Sequence, residues 1–199
     1  MAALRADGVS GALLGMQAVV SEDTVRRALR AMDEEQGMSW LEQHLHASVL
    51  PLLSAPWVLD TDVTIKPLYG KQEGAVVGYN PHKPGRPSHA YHTYQVAGLR
   101  LMLGVSVTPG NQSHANSTLP GLTQLIESLP LDKRPALVRG DCGQGGEPTM
   151  AALEARHIHY LFKLRLTKNV KRYIERLFAT PEWKDAGQGW QGQIGRAHV

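Results

Sequence analysis

The chain has a single cysteine, Cys142. One thiol excludes an intrachain disulfide framework and a cysteine-built zinc site, and it makes a reducing compartment the default. Long apolar runs are also missing. None approaches the roughly 20 residues needed to cross a bilayer. Met1 to Ser10 lack the basic-then-apolar shape of a secretion signal. There is no internal repeat and no low-complexity tract. The glycine-rich turn Gly143 to Gly146 is not followed by Gly-Lys-Ser/Thr, which excludes a P-loop. Excess charge of one sign is scarce too: 21 Lys and Arg stand against 18 Asp and Glu, a net charge of +3. The pI of about 9.1 leans basic. That lean fits ordinary surface residues as well as a phosphate-bearing partner.

What is present is a chain of 199 residues, 42% apolar and 20% charged. That suffices for one domain with a real core plus an appendage. Ser21 reads as a helix N-cap with Glu22 and Asp23 in the first turn, where the helix dipole favours acids. Val25, Ala28, Leu29 and Met32 follow at helical spacing, with Arg26, Arg27 and Arg30 outside and Gly37 as the stop. A second helix is expected over about Trp40 to Leu53, with Leu41, Leu45, Val49 and Leu52 on one side. The pair fits a small helical bundle or a helix-turn-helix.

Pro56 marks a boundary, and the period then changes to two. Trp57, Leu59, Thr61, Val63 and Ile65 share one face of an expected strand, and Val58, Asp60, Asp62 and Thr64 the other. A loop from Tyr69 to Ser88 follows, then two strands, about His89 to Val96 and Leu99 to Thr108, turning at Ala97-Gly98. Asn116 or Ser117 is expected to cap a helix with Pro120 near its first turn and Leu122, Leu125, Ile126 and Leu129 inside. Ala136 to Asp141 reads as a strand ending on an aspartate. A helix from about Pro148 to Arg156, a strand from His159 to Leu166 and a basic helix from about Lys168 to Phe178 complete the order. Val170, Ile174 and Leu177 are expected inside that last helix.

The order strand, hairpin strands, helix, strand is the opening of an RNase H-like mixed sheet of an α/β fold. There the first strand and the strand after the first helix are neighbours, so Asp62 and Asp141 would meet. Two close carboxylates repel unless a cation lies between them. Mg²⁺ on one or two carboxylates plus substrate phosphates is the usual answer.

The segments Leu-Asp-Thr-Asp-Val-Thr, Tyr-Gly-Lys-Gln-Glu-Gly-Ala, Gly-Tyr-Asn-Pro-His-Lys-Pro-Gly-Arg-Pro-Ser, Thr-Pro-Gly-Asn-Gln-Ser and Arg-Gly-Asp-Cys-Gly occur in that order. Together they resemble DDE transposases of bacterial insertion sequences, over about Leu13 to Gln193. The resemblance implies an enzyme that nicks DNA at element ends and joins the freed 3′ hydroxyl to target DNA, using two Mg²⁺ or Mn²⁺ ions. It implies Asp62 and Asp141 as catalytic and metal-binding carboxylates, with Asp60 as the rival or an outer partner of Asp62. The family's third carboxylate, a Glu on a helix after a strand-rich insertion, has no match here, since Glu175 comes too soon after Asp141. The chain is therefore expected to be a piece, inactive alone, of a longer transposase. The implied partners are the element's terminal repeats and target DNA, with a homodimer for the complete protein, no membrane, and a cytoplasmic, nucleoid-associated setting.

Other features carry less. Lys71, Lys83 and Arg86 are candidate contacts to the DNA backbone, as are Arg26 and Arg27 in the helical region. His89, His92, His157 and His159 form close pairs without zinc-ligand spacing and read as structural. Cys142 is expected to be a small packed residue. The expected domains are a helical region over 1–54, the first part of the catalytic domain over 55–193, and a non-native tail over 194–199, which matches a translated sequencing adapter. The competing functions are a helix-turn-helix regulator and an RNase H-like nuclease unrelated to transposition.

Overall fold

A computed structural model describes residues 2–7, 9–80, 83–112, 114–179 and 182–192. The suspected tail at 194–199 lies outside these residues. The chain divides into two compact units, Met1–Leu53 and Ser54–Val199.

The first unit is helical: α1 (Ala2–Ala6), α2 (Ser10–Leu13), α3 (Glu22–Ala31) and α4 (Glu34–Val49), then a short 3₁₀ turn over Leu50–Leu52. The expected cap is present, with the Ser21 hydroxyl accepting from the Thr24 amide at 3.1 Å. The expected stop at Gly37 is not. α3 already ends at Ala31, and the Asp33 carboxylate accepts from the Gln36 amide at 2.8 Å, starting α4 three residues before Gly37. A good N-cap outweighs the weak helix preference of one glycine. The apolar stripe of α3 is not covered: Leu29 is 54% exposed.

The second unit is built on one mixed sheet. Its strands are β1 (Val58–Pro67), β2 (Val76–Val77), β3 (Pro87–Val96), β4 (Leu101–Pro109), β5 (Leu137–Gly140) and β6 (His159–Phe162). The lateral order is β2-β3-β1-β5-β6, with β4 pairing along β3. β3 runs antiparallel to β1, β2 and β4, whereas β5 lies parallel to β1 and β6 parallel to β5. An antiparallel hairpin joined through a helix to strands parallel to the first is the RNase H-like arrangement. The hairpin turn is longer than the expected dipeptide. It runs from Ala97 to Arg100, with Gly98 and Arg100 at positive φ.

Helix α5 (His114–Ser128) joins β4 to β5. It starts before the expected cap, so Pro120 falls inside it. The side chains at 116 and 117, the expected caps, lie outside the described residues. Leu122, Leu125, Ile126 and Leu129 are all buried, as their spacing requires. The same helix lies against Tyr94 of β3, through Thr118 and Gly121, on the sheet face that carries buried Leu59, Val96 and Val138. Each such aliphatic side chain contributes about 1.5–3 kcal/mol by leaving water. On β3 the inward alternation continues as Ala90, His92 and Tyr94. Buried His92 is held by Thr118 Oγ1 at 3.1 Å and Thr108 Oγ1 at 3.0 Å, which is the structural role expected of it. Burial pushes the Tyr94 hydroxyl up to about 12.

Helix α6 (Glu147–Glu154) leads into β6, and α7 (Lys168–Ala179) follows. The expected inside stripe of α7 is not buried: no residue of that helix is, and Ile174 is 36% exposed. Amphipathic spacing sets which residues share a face, but not whether something packs on it. A hairpin not foreseen from the sequence, β7 (Lys184–Gly187) with β8 (Trp190–Gly192), closes the described chain.

Candidate active site

Strands β1 and β5 define the site. Their parallel register pairs Val58 with Leu137, Leu59 with Val138 and Asp60 with Arg139. Leu59 and Val138 point into the core. Alternation puts Asp60 and Asp62 of β1 and Arg139 of β5 on the opposite, open face, and Asp141 follows directly after β5. Asp62 and Asp141 each stand two residues past the last pair of that register. Both are exposed.

Asp60 and Asp62 differ in their partners. The Arg139 guanidinium grips Asp60 with two prongs, Nε to Oδ1 at 2.7 Å and Nη2 to Oδ2 at 2.8 Å. The Asp60 carboxylate in turn holds the Arg139 guanidinium above its ordinary value, by hydrogen bond first and charge second. The two side chains are 37% and 46% exposed. A solvent-screened pair of this kind contributes about 0–1 kcal/mol to stability. Among the described residues, neither Asp62 nor Asp141 pairs with Lys or Arg. Asp141 Oδ1 accepts from the Gly143 amide at 2.8 Å, which fixes one carboxylate oxygen at the head of the glycine-rich turn. The Asp62 main-chain carbonyl accepts from Thr93 Oγ1 at 3.4 Å.

Beneath the carboxylates the backbone is tightly packed. A Cβ at Gly140 would lie 2.6 Å from Gln144 Oε1, 2.9 Å from Thr61 Oγ1 and 3.1 Å from Phe162 Cδ1. A residue larger than glycine would force β5 away from β1 or from the turn carrying Gln144.

Two exposed carboxylates without a basic partner are hard oxygen donors suited to a hard divalent cation. The expected trio of Asp60, Asp62 and Asp141 is not gathered into one ligand set. Among the described residues, no group of three or more His, Cys, Asp or Glu stands ready to hold a metal. Asp60 is turned to Arg139 instead. Cys142, expected to be packed, is exposed.

The basic candidates fall in different settings. Lys71, Lys83 and Arg86 are all exposed in the loop between β1 and β3, where 81 and 82 lie outside the described residues. Lys83 and Arg86 gather on Tyr69, at 4.8 and 4.5 Å from its ring centroid. Lys83 also hydrogen-bonds the Tyr69 hydroxyl, which lowers the phenol below its ordinary value. Arg26 is taken up within α3 by Glu22 at 3.0 Å and Asp23 at 3.2 Å. Arg27 Nε donates to the Asp23 carbonyl at 3.4 Å.

Sequence reasoning missed Arg139 and Tyr69. Arg139 had a readable signal: it precedes Asp141 by the same two residues by which Asp60 precedes Asp62. Tyr69 had none, because its cationic partners lie more than ten positions along a loop.

Among the described residues no helix is long and apolar enough to cross a membrane. No curated protein matches the chain. Among solved structures it is similar to the simian T-cell lymphotropic virus intasome, at 15% identity over 64% of this chain and 38% of that one, with a TM-score of 0.37. The HTLV-2 integrase catalytic core domain in complex with magnesium gives 17%, 66%, 77% and 0.35 in the same order. The piggyBac transposase synaptic complex with hairpin DNA gives 14%, 78%, 33% and 0.45. The chain thus spans well under half of the intasome and piggyBac chains. A family model described as transposase DDE domain group 1 matches residues 1–194, so the chain belongs to that family of transposase domains.

Proposed function

We propose that this chain supplies the first two carboxylates, Asp62 and Asp141, of a transposase that cuts and joins DNA strands at the ends of an insertion sequence. The observation that supports the reading is the parallel β1–β5 register: its last pair is Asp60 with Arg139, which occupy one another, and Asp62 and Asp141 each follow two residues further on. Asp62 and Asp141 would hold Mg²⁺ or Mn²⁺. Two such ions, when bound, supply activation of the attacking oxygen and stabilisation of the leaving one in an in-line phosphoryl displacement. The residues of the chain hold the frame for that chemistry. β1 presents Asp62 from a strand buried on its other face, and the Gly143 amide orients Asp141.

Lys71, Lys83 and Arg86 would bind backbone phosphates of the terminal repeat or target duplex, with Tyr69 as the floor on which two of the cations rest. In the helical unit, Arg27 is a better phosphate contact than Arg26, whose charge is already met by two acids. Proposed for the complete protein are a homodimer and action on DNA in the cytoplasm.

Among the described residues no group of three or more His, Cys, Asp or Glu could hold a metal, and the chain alone is expected to leave DNA carrying insertion-sequence ends intact in Mg²⁺. In a full transposase bearing this segment, Asp62→Asn and Asp141→Asn should each abolish excision of a marked element. Excision surviving both changes contradicts the assignment.

A further inference from the structure

We infer that Arg139 is a positioning residue: its two-pronged grip on Asp60 ties the end of β5 to β1, and so holds Asp141 in line with Asp62. The inference rests on the reading of Asp62 and Asp141 as a metal-binding pair.

Three observations lead to it. First, the registered ladder between β1 and β5 is short, and Asp60–Arg139 is its last pair. The carboxylates stand two residues beyond it, where no further backbone pairing between the two strands holds them in line. Second, Gly140, between Arg139 and Asp141, is paired to Phe162 of β6 and not to β1. The Arg139 fork, at 2.7 and 2.8 Å, is therefore the last side-chain hydrogen bond that ties β5 to β1 among the described residues. Such a fork fixes orientation as well as distance, which a lysine ammonium does not. Third, Asp60, Asp62 and Arg139 share the open face. If Arg139 were removed, Asp60 would no longer be tied to the end of β5, and Asp141 would be free to drift from Asp62. If Asp60 were removed, a guanidinium without its partner would stand beside Asp62 and Asp141 and compete with the cation.

The test is a Mn²⁺ titration of this chain, with free Mn²⁺ followed by electron paramagnetic resonance. Thermal melts of each variant are recorded alongside. Arg139→Gln and Asp60→Asn are each expected to weaken Mn²⁺ binding about 10-fold, the lower end of what loss of an outer partner does to a metal site. Their melting curves should change little. The exchanged double variant, Asp60→Arg with Arg139→Asp, should recover binding to within about two-fold of the starting protein. A merely structural contact would not produce loss of affinity with an unchanged melt, nor recovery on exchange.

Binding unchanged in both single variants overturns the inference, and so does an exchanged variant as weak as the singles. Arg139→Lys keeps the charge but not the fork, so it serves if Arg139→Gln does not fold. A clear loss of affinity in it supports the positioning role, and binding equal to the starting protein overturns it. Asp62→Asn separates the positioning role from the metal pair beneath it. If it abolishes binding while Arg139→Gln does not, only the positioning role fails. If it leaves binding intact, the metal-pair reading itself fails.

Discussion

Replacing Gly140 with alanine tests whether β5 is seated against β1 as tightly as the geometry requires. The added Cβ would meet Gln144 Oε1 at 2.6 Å, Thr61 Oγ1 at 2.9 Å and Phe162 Cδ1 at 3.1 Å, all inside ordinary contact. These neighbours come from three different elements, so no single rotation clears them. Gln144 is 1% exposed and has little room to swing, and Thr61 is stiff at χ1 on a central strand. Relief must come from backbone movement, and overpacking of this kind costs about 2 kcal/mol. For a unit of this size that is a fall in Tm of about 4–8 °C. The assay is thermal unfolding followed by circular dichroism, with Mn²⁺ affinity measured on the same samples. Affinity should fall as well, because Asp141 is the next residue. Gly37→Ala is the control of opposite sign. It sits inside α4, where a Cβ meets nothing within 4 Å, and it should raise helix stability by about 0.5–1 kcal/mol. A Gly140→Ala protein with unchanged Tm would refute the packing argument.

Two further outcomes are expected. Tyr94 is buried and its phenol is raised from 10.0 to about 12, so the fold favours the neutral form. Its contribution is therefore fully present below pH 10 and is lost as pH rises toward 12. The full loss is on the order of 2–3 kcal/mol. Tyr94→Phe should flatten that part of the stability curve, and an equally steep alkaline loss in the variant would count against the assignment. Replacing Lys71, Lys83 and Arg86 together with alanine should weaken binding to duplex DNA and lower the salt slope by ~0.9 for each phosphate that is no longer neutralised. An unchanged slope would remove the loop from the interface.

Local periodicity made much of the sheet readable. Alternating apolar residues located β1 and sorted Leu59 from Asp60, and the spacing of Leu122, Leu125, Ile126 and Leu129 identified the buried side of α5. That β1 and β5 lie side by side was accessible because the order of elements restricts which strands can be neighbours. The failures have physical causes too. Gly37 looked like a stop because its own preference is poor, whereas Asp33 capped a helix that runs through it. Val170, Ile174 and Leu177 looked buried because spacing describes a face and not its covering. The Asp60–Arg139 pair joins residues 79 apart, and parallel pairing leaves no turn signal between them. The gathering of Lys83 and Arg86 on Tyr69 became visible only once the loop was folded.

The central claim is that Asp62 and Asp141, and not Asp60, form the cation-binding pair of this transposase domain. A Mn²⁺ titration of the chain against its Asp62→Asn and Asp141→Asn variants tests it most directly. Each is expected to weaken binding by about 10-fold or more, because one of only two charged ligands is removed. Unchanged binding in both variants would contradict the account.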